Sequence, residues 1–160
     1  PFLAEYGFDK AWPIKEFVRG TLRLNGWAEA WASIFEKLET LSGAEADEWI
    51  KQKAALLVSE NAYEENEPDR VVLCVSLLAE NEGVPVYHKT YTMDAWGDLR
   101  GSAMARLVSG PVVLAVKAVQ DRAIAAGVHA APSDPKLVQR WMEFVDTQAQ
   151  YLHVANHINT

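Results

Sequence analysis

Arg70-Val71-Val72-Leu73-Cys74-Val75-Ser76-Leu77-Leu78-Ala79-Glu80, then Asn81-Glu82-Gly83-Val84, then Pro85-Val86-Tyr87-His88-Lys89-Thr90-Tyr91-Thr92-Met93, is the stretch on which the fold turns. The first run is rich in valine and leucine, the second in threonine, tyrosine and valine, and both have strand lengths. Gly83 can take the positive φ that a tight connection needs, so the two runs read as a β-hairpin and the sheet as antiparallel. On the second strand Val86, His88, Thr90 and Thr92 alternate against Pro85, Tyr87, Lys89, Tyr91 and Met93. The first strand is apolar almost throughout, which predicts cover on both of its faces.

Toward the N-terminus, residues 14 to 24 read as a further strand. Phe17, Arg19, Thr21 and Arg23 share one face, and Val18, Gly20, Leu22 and Leu24 the other, because side chains alternate. One face is therefore cationic and one apolar. Two guanidiniums four residues apart start ~13 Å apart at ~3.3 Å per residue and can converge on one polyanionic ligand. Arginine holds a carboxylate or phosphate by two parallel hydrogen bonds. On spacing alone the same arginines are also the solvated face of a half-exposed strand. Asn25 is placed to cap a helix in which Trp27, Trp31, Ile34, Phe35, Leu38 and Leu41 recur at helical spacing. Ser42-Gly43-Ala44-Glu45 has the form of a capping box opening a second helix to about residue 59. An acidic loop from Asn61 to Asp69, with Pro68 in it, leads into the hairpin.

Beyond the hairpin, Asp94 to Gly101 reads as a loop and Ser102 as a helix start. Pro111 predicts a short helix near 102 to 108, a break at Ser109-Gly110, and a longer helix from Pro111 to Ala126 stopped by Gly127. Asp134 and Pro135 open a last helix to about Leu152, and His153 to Thr160 reads as a frayed tail. Residues 1 to 13 form a lead-in segment. The order of elements predicts a single α+β domain over residues 1 to 160, a small mostly antiparallel sheet covered by helices on one side.

Composition bounds the function. With 160 residues, 49% hydrophobic and 23% charged, this is the chain of a folded domain. A net charge of −7 argues against nucleic acid as a partner, since phosphate binding needs excess Lys and Arg. No signal peptide or membrane span is expected from the sequence. The lone Cys74 in an apolar run fits a buried thiol in a reducing compartment, which points to the cytoplasm. A start on Pro1 instead of methionine suggests a processed or excised chain.

Catalytic motifs are few. Gly97 to Gly101 lacks the spacing of a nucleotide-binding glycine loop, and there is no G-x-S-x-G elbow. His88, His129, His153 and His157 do not form a metal-ligand set, and no catalytic residue is assigned. Arg19, Thr21 and Arg23 remain as one cluster, with His88, Lys89, Tyr91, Arg100 and Arg106 as later residues that could meet them.

Arg19-Gly20-Thr21-Leu22-Arg23-Leu24-Asn25-Gly26-Trp27 resembles the R-G-T-L-R-Y-x-G-[WF] stretch of the saccharopine dehydrogenase family, in the domain that follows the nucleotide-binding half. Gly101-Ser102-Ala103-Met104-Ala105-Arg106-Leu107-Val108-Ser109-Gly110-Pro111 resembles that family's G-x-[ST]-A-M-x-R helix opening, and Ala125-Ala126-Gly127-Val128 its later G-V step. Leu24 stands where the family has an aromatic residue, and Val108-Ser109-Gly110-Pro111 departs from its T-G-[FY]-P segment. The resemblance implies an oxidoreductase whose Rossmann half binds NAD or NADP and whose second domain, this one, closes over an amino-acid-derived carboxylate substrate and forms a homodimer. It places Arg19, Thr21, Arg23 and Gly26 at the substrate cleft, with His88, Lys89 and Arg106 as further substrate-binding candidates. No cofactor site is expected in this stretch, and without its Rossmann domain it should be inactive. The alternative is a free-standing dimerising module with no small-molecule substrate.

Overall fold

The computed structural model describes residues 3, 6–129 and 131–158. Two compact units divide the chain: residues 16–67, and the segments on either side, up to Lys15 and from Pro68 onward.

The second of these units is built on the expected hairpin. Strand β1 (Arg70–Asn81) runs antiparallel to β2 (Val84–Trp96), from Arg70 opposite Trp96 to Asn81 opposite Val84. Glu82 and Gly83 turn the chain with φ of 50° and 80°. Two successive positive φ values make the turn whose twist matches that of the strands it joins. The register shifts between Ala79 and Glu80, a bulge just before the turn. The tail predicted after Leu152 is instead strand β3 (Tyr151–Asn156), paired to β2 from Lys89 opposite Asn156 to Asp94 opposite Tyr151. Six residues are too short to show a firm period, and a strand gains its hydrogen bonds from a distant partner. The sheet order is β1-β2-β3, so β1 and β3 are edges.

Helices α3 (Ala103–Gln120) and α4 (Pro135–Gln148) lie against each other and against β1 and β3. Met93, Ala95, Ala103, Ala118 and Leu137 are the buried apolar residues of this unit. Asp134 accepts the Lys136 and Leu137 N–H groups at 3.0 Å each, so that predicted cap forms, and Ser102, read as a helix start, caps the helix by accepting the Ala105 N–H at 3.1 Å. The break predicted at Ser109-Gly110 does not: α3 runs through Pro111. Proline there leaves the Leu107 carbonyl without its usual donor, and packing holds the helix together across the gap. Gly110 lies against the Phe144 ring of α4, so close that a Cβ would collide with it. What reads locally as a break is a point of close helix approach. The helix stops before Gly127 because Arg122, at φ 55°, takes the left-handed position. Ala123 N–H then bonds Ala118 O at 2.8 Å and Arg122 N–H bonds Val119 O at 3.0 Å, a Schellman stop without glycine. α4 ends at Gln148, before the predicted Leu152, because Ala149 is extended and leads into β3.

The cover predicted for both faces of β1 is absent among the described residues: Val72, Leu73, Val75, Leu77 and Leu78 are all exposed. Met104, Val108, Val112, Val116 and Val119 likewise leave an apolar stripe of α3 exposed. By length and composition α3 could cross a bilayer. However, Arg106 in its first turn is tied into the unit by hydrogen bonds described below, and Gly110 lies against α4.

The unit of residues 16–67 contains α1 (Trp27–Glu39) and α2 (Gly43–Glu60), close to the predicted bounds. Ile34 is buried on α1, and Ala46, Trp49, Lys53 and Leu57 are the half-covered positions of α2. Trp27, Trp31 and Phe35 form a ladder with ring centroids 5.3 and 5.9 Å apart. The caps differ from expectation: Gly26, not Asn25, occupies the N-cap of α1, and Ser42 precedes α2 without a side-chain bond. The strand predicted over residues 14 to 24 is not formed, and those residues belong to no helix or strand. Alternation marks a segment able to be a strand, whereas a ladder needs a neighbour offering its own N–H and C=O groups. Val18, Leu22 and Leu24, the expected apolar face, are exposed.

Candidate functional site

The predicted site residues fall in both units, and each unit's set has its own geometry. In the unit of residues 16–67, Arg19, Thr21 and Arg23 are exposed and stand just before α1. Arg23 donates through Nη1 to Leu22 O at 3.1 Å, and its guanidinium carbon lies 5.5 Å from the Trp27 ring centroid. An arginine stacked on an aromatic face keeps most of its N–H groups for a ligand. Gly26 sits at φ 82°, where a side chain would be strained, and turns the chain from the arginine segment into α1.

In the other unit the candidates diverge. His88 and Lys89 are neighbours on β2 and so face opposite sides of the sheet. On the His88 face, the His157 ring lies 4.3 Å from that of His88, tilted by 37°, and is 2.9 Å from the Thr90 hydroxyl through Nε2. Ser76 continues this row, 3.2 Å from Thr90. On the opposite face, the Lys89 ammonium is 5.5 Å from the Tyr87 ring centroid, and the Tyr87 and Tyr91 hydroxyls are 3.5 Å apart. The Tyr87 hydroxyl raises the pKa of Tyr91, with partial burial adding to the effect. A single ligand cannot contact both faces, so His88 and Lys89 do not share one.

Arg106 is the most constrained candidate. Its side chain is 8% exposed, and it donates to Asp98 and Gly101 O at 2.7 Å each, to Trp96 O at 2.9 Å and to Gln148 O at 3.2 Å. Nε alone is buried with no partner among the described residues. Arg100 grips the same carboxylate through Nη2 at 2.7 Å and reaches Thr147 O at 2.9 Å. These bonds, led by that from the Arg100 side chain, hold the Asp98 carboxyl down to about 2. Asp69 accepts the Ala103 and Met104 N–H groups at 2.8 and 2.9 Å, which lowers its pKa and caps α3 from a distant loop. The cluster therefore works as a clamp joining the end of β2, the start of α3 and the end of α4.

Sequence reading missed two parts of this arrangement. Asp69 and Asp98 fall in stretches that read as loops, and nothing local marks a carboxylate that caps or clamps a remote helix. His157 falls in the stretch that reads as a tail, and pairing of β3 with β2 is what brings it to His88. A groove of about 540 Å³ between α3 and α4, lined in part by Lys117, Asp121, Arg140 and Trp141, contains none of the predicted site residues.

The model of the saccharopine dehydrogenase C-terminal domain matches residues 1–148. The chain belongs to that family. No curated protein and no solved structure matches it. A saccharopine dehydrogenase C-terminal domain is part of a dehydrogenase-like enzyme, which sets this chain among oxidoreductases of amino-acid metabolism. Both motif stretches, residues 19–27 and 101–111, fall inside the matched span. In this C-terminal domain the first stretch presents exposed arginines, and the second forms the clamped start of α3.

Proposed function

We propose that the chain is the substrate-binding and dimerisation domain of a saccharopine dehydrogenase-like enzyme that uses NAD or NADP and acts on an amino-acid-derived carboxylate. The observation that carries this reading is the Arg19-to-Trp27 stretch inside a span matched by the family. Arg23, stacked on Trp27 and bonded only to a neighbouring carbonyl among its described polar contacts, is the residue best prepared to receive a carboxylate. Arg19 and Thr21 complete the anion-binding segment, and Gly26 sets the turn behind it. His88, with His157, and Lys89 are secondary candidates on opposite sheet faces. Arg106 shapes the domain through the clamp. Hydride transfer belongs to the parent's nucleotide-binding domain, where the cofactor would sit, so these 160 residues bind without turning over. The parent works as a homodimer in the cytoplasm.

The test is turnover by the full-length parent carrying Arg23→Ala. A lower kcat/KM with an unchanged melting temperature supports the reading, and wild-type turnover removes Arg23 from the substrate site. The exposed apolar faces of β1 and α3 favour a second reading, a dimerising module without a substrate. A ligand that binds only the native state raises its stability by mass action. Melting that responds to protein concentration but to no dicarboxylic amino acid would therefore favour the module.

A further inference from the structure

β1 is an edge strand of 12 residues with neither charge nor proline from Val71 to Ala79. Exposed edges are normally blunted by short length, charge, proline or covering chain, because unpaired N–H and C=O groups template another strand. The other edge, β3, follows that rule with 6 residues that include His153 and Asn156. β1 does not. No third strand pairs with it among the described residues, and its side chains are exposed on both faces, Leu73 by 50% and Leu78 by 56%.

We infer that β1 pairs antiparallel with β1 of a second copy about a two-fold axis at Val75, joining two three-stranded sheets into one of six strands. The inference rests on the homodimer proposed above and names its contact. Two-fold pairing is self-complementary: whatever residue i meets on the partner, the partner's equivalent meets on this chain. With the axis at Val75, Arg70 faces the partner's Glu80 at both ends of the ladder. Leu73 then faces the partner's Leu77, and Val72 faces the partner's Leu78.

Neighbouring registers lose this match. Moving the axis to the bond between Val75 and Ser76 pairs odd positions with even ones, so the face carrying Leu73, Val75 and Leu77 would continue into the opposite face of the second copy. Placing it on Cys74 keeps the faces but sets Arg70 opposite Leu78, and placing it on Ser76 sets Arg70 opposite Glu82, which lies in the turn beyond β1, and leaves Glu80 opposite Val72. Arg70 already holds Asp94 and Glu80 already holds Lys15, so the end pairs would extend existing ion pairs. Exposed pairs of this kind choose register more than they add affinity. The apolar core of the ladder supplies the attraction.

Light scattering on the full chain across a concentration series, with far-UV circular dichroism to check folding, tests the inference. Wild type is expected to be a dimer. Val75→Lys, which sets two ammonium groups opposite each other on the axis, should raise the dissociation constant by roughly tenfold or more. Leu73→Lys and Leu77→Glu should each weaken the dimer and together restore it, because those positions face each other across the axis. Val75→Cys in a Cys74→Ser background should form an interchain disulfide on mild oxidation, which keeps the question open to test if the lysine variant fails to fold. A monomeric wild type would overturn both the homodimer and this contact. A dimer that is indifferent to Val75→Lys, or one that does not cross-link at position 75, would overturn the contact alone.

Discussion

Arg106 directs four hydrogen bonds to acceptors within its own unit, whereas Arg23 makes one to the preceding carbonyl and rests its guanidinium on Trp27. Both lie in motif stretches of the same family, and a motif alone makes them equivalent. Their surroundings make them opposites. Around Arg106, three backbone carbonyls and Asp98 occupy the fork, and the side chain is nearly covered. Around Arg23 the partner is an aromatic face, which steadies the side chain without occupying its donors. An arginine whose two terminal nitrogens are already held by acceptors builds the fold, and one left stacked and exposed can bind.

Experiments that break or sharpen this contrast differ in expected size. Arg106→Met keeps the aliphatic stem but leaves the carbonyls of Trp96, Gly101 and Gln148 without this donor, and should lower stability by about 3 kcal/mol in urea titration. A loss under about 1 kcal/mol would mean the clamp is dispensable. Gly110→Ala is next: the new methyl must displace the Phe144 ring, and overpacking of this kind costs about 1–3 kcal/mol, more than the ~1 kcal/mol that alanine adds in helix propensity. Pro111→Ala should act in the other direction and raise the melting temperature, since it restores the donor that the Leu107 carbonyl lacks.

The clamp also sets a pH dependence. The Asp98 carboxyl is held down to about 2, below the ordinary aspartate value near 4, so its contribution is present above that ordinary value and is lost as pH falls toward 2. Asp69, lowered chiefly by the Met104 N–H, and Asp94, lowered chiefly by the Arg70 side chain, act with the same sign. Melting temperatures should therefore fall from roughly pH 4 downward, and Asp98→Asn should be less stable at neutral pH with a shallower acid slope. Equal slopes would remove Asp98 from this account. The smallest change in stability is expected from Arg23→Ala, within about 0.5 kcal/mol of wild type as for most exposed positions. Its effect should appear in turnover of the parent instead. A large loss of stability would place Arg23 with Arg106 as a structural group.

The hairpin was legible because its determinants are local: two β-rich runs and a glycine where the turn requires positive φ. The helix starts at Ser102 and Asp134 were legible for the same reason, since each capping side chain reaches only the next two or three residues. The segment from 14 to 24 shows the limit of such reading. Its alternation is real, but a strand is a relation between two segments, and this segment has no ladder partner among the described residues. β3 is the converse, a short stretch read as a tail that becomes a strand because β2 offers it an edge. Gly110 and Pro111 read locally as a break, and nothing near them in sequence tells that Phe144 approaches the glycine and packs the helix through it.

From its residues alone, this chain determined the α+β class, the hairpin, the starts of α3 and α4, and a cationic stretch that resembles one family. Tertiary structure alone decided which arginine is occupied and which is exposed, that His157 stands beside His88, and that β1 is left with an open edge. The division has one physical cause. Backbone propensity and capping act over a few residues and are written in sequence order, whereas hydrogen-bond saturation and burial depend on groups that only folding brings together.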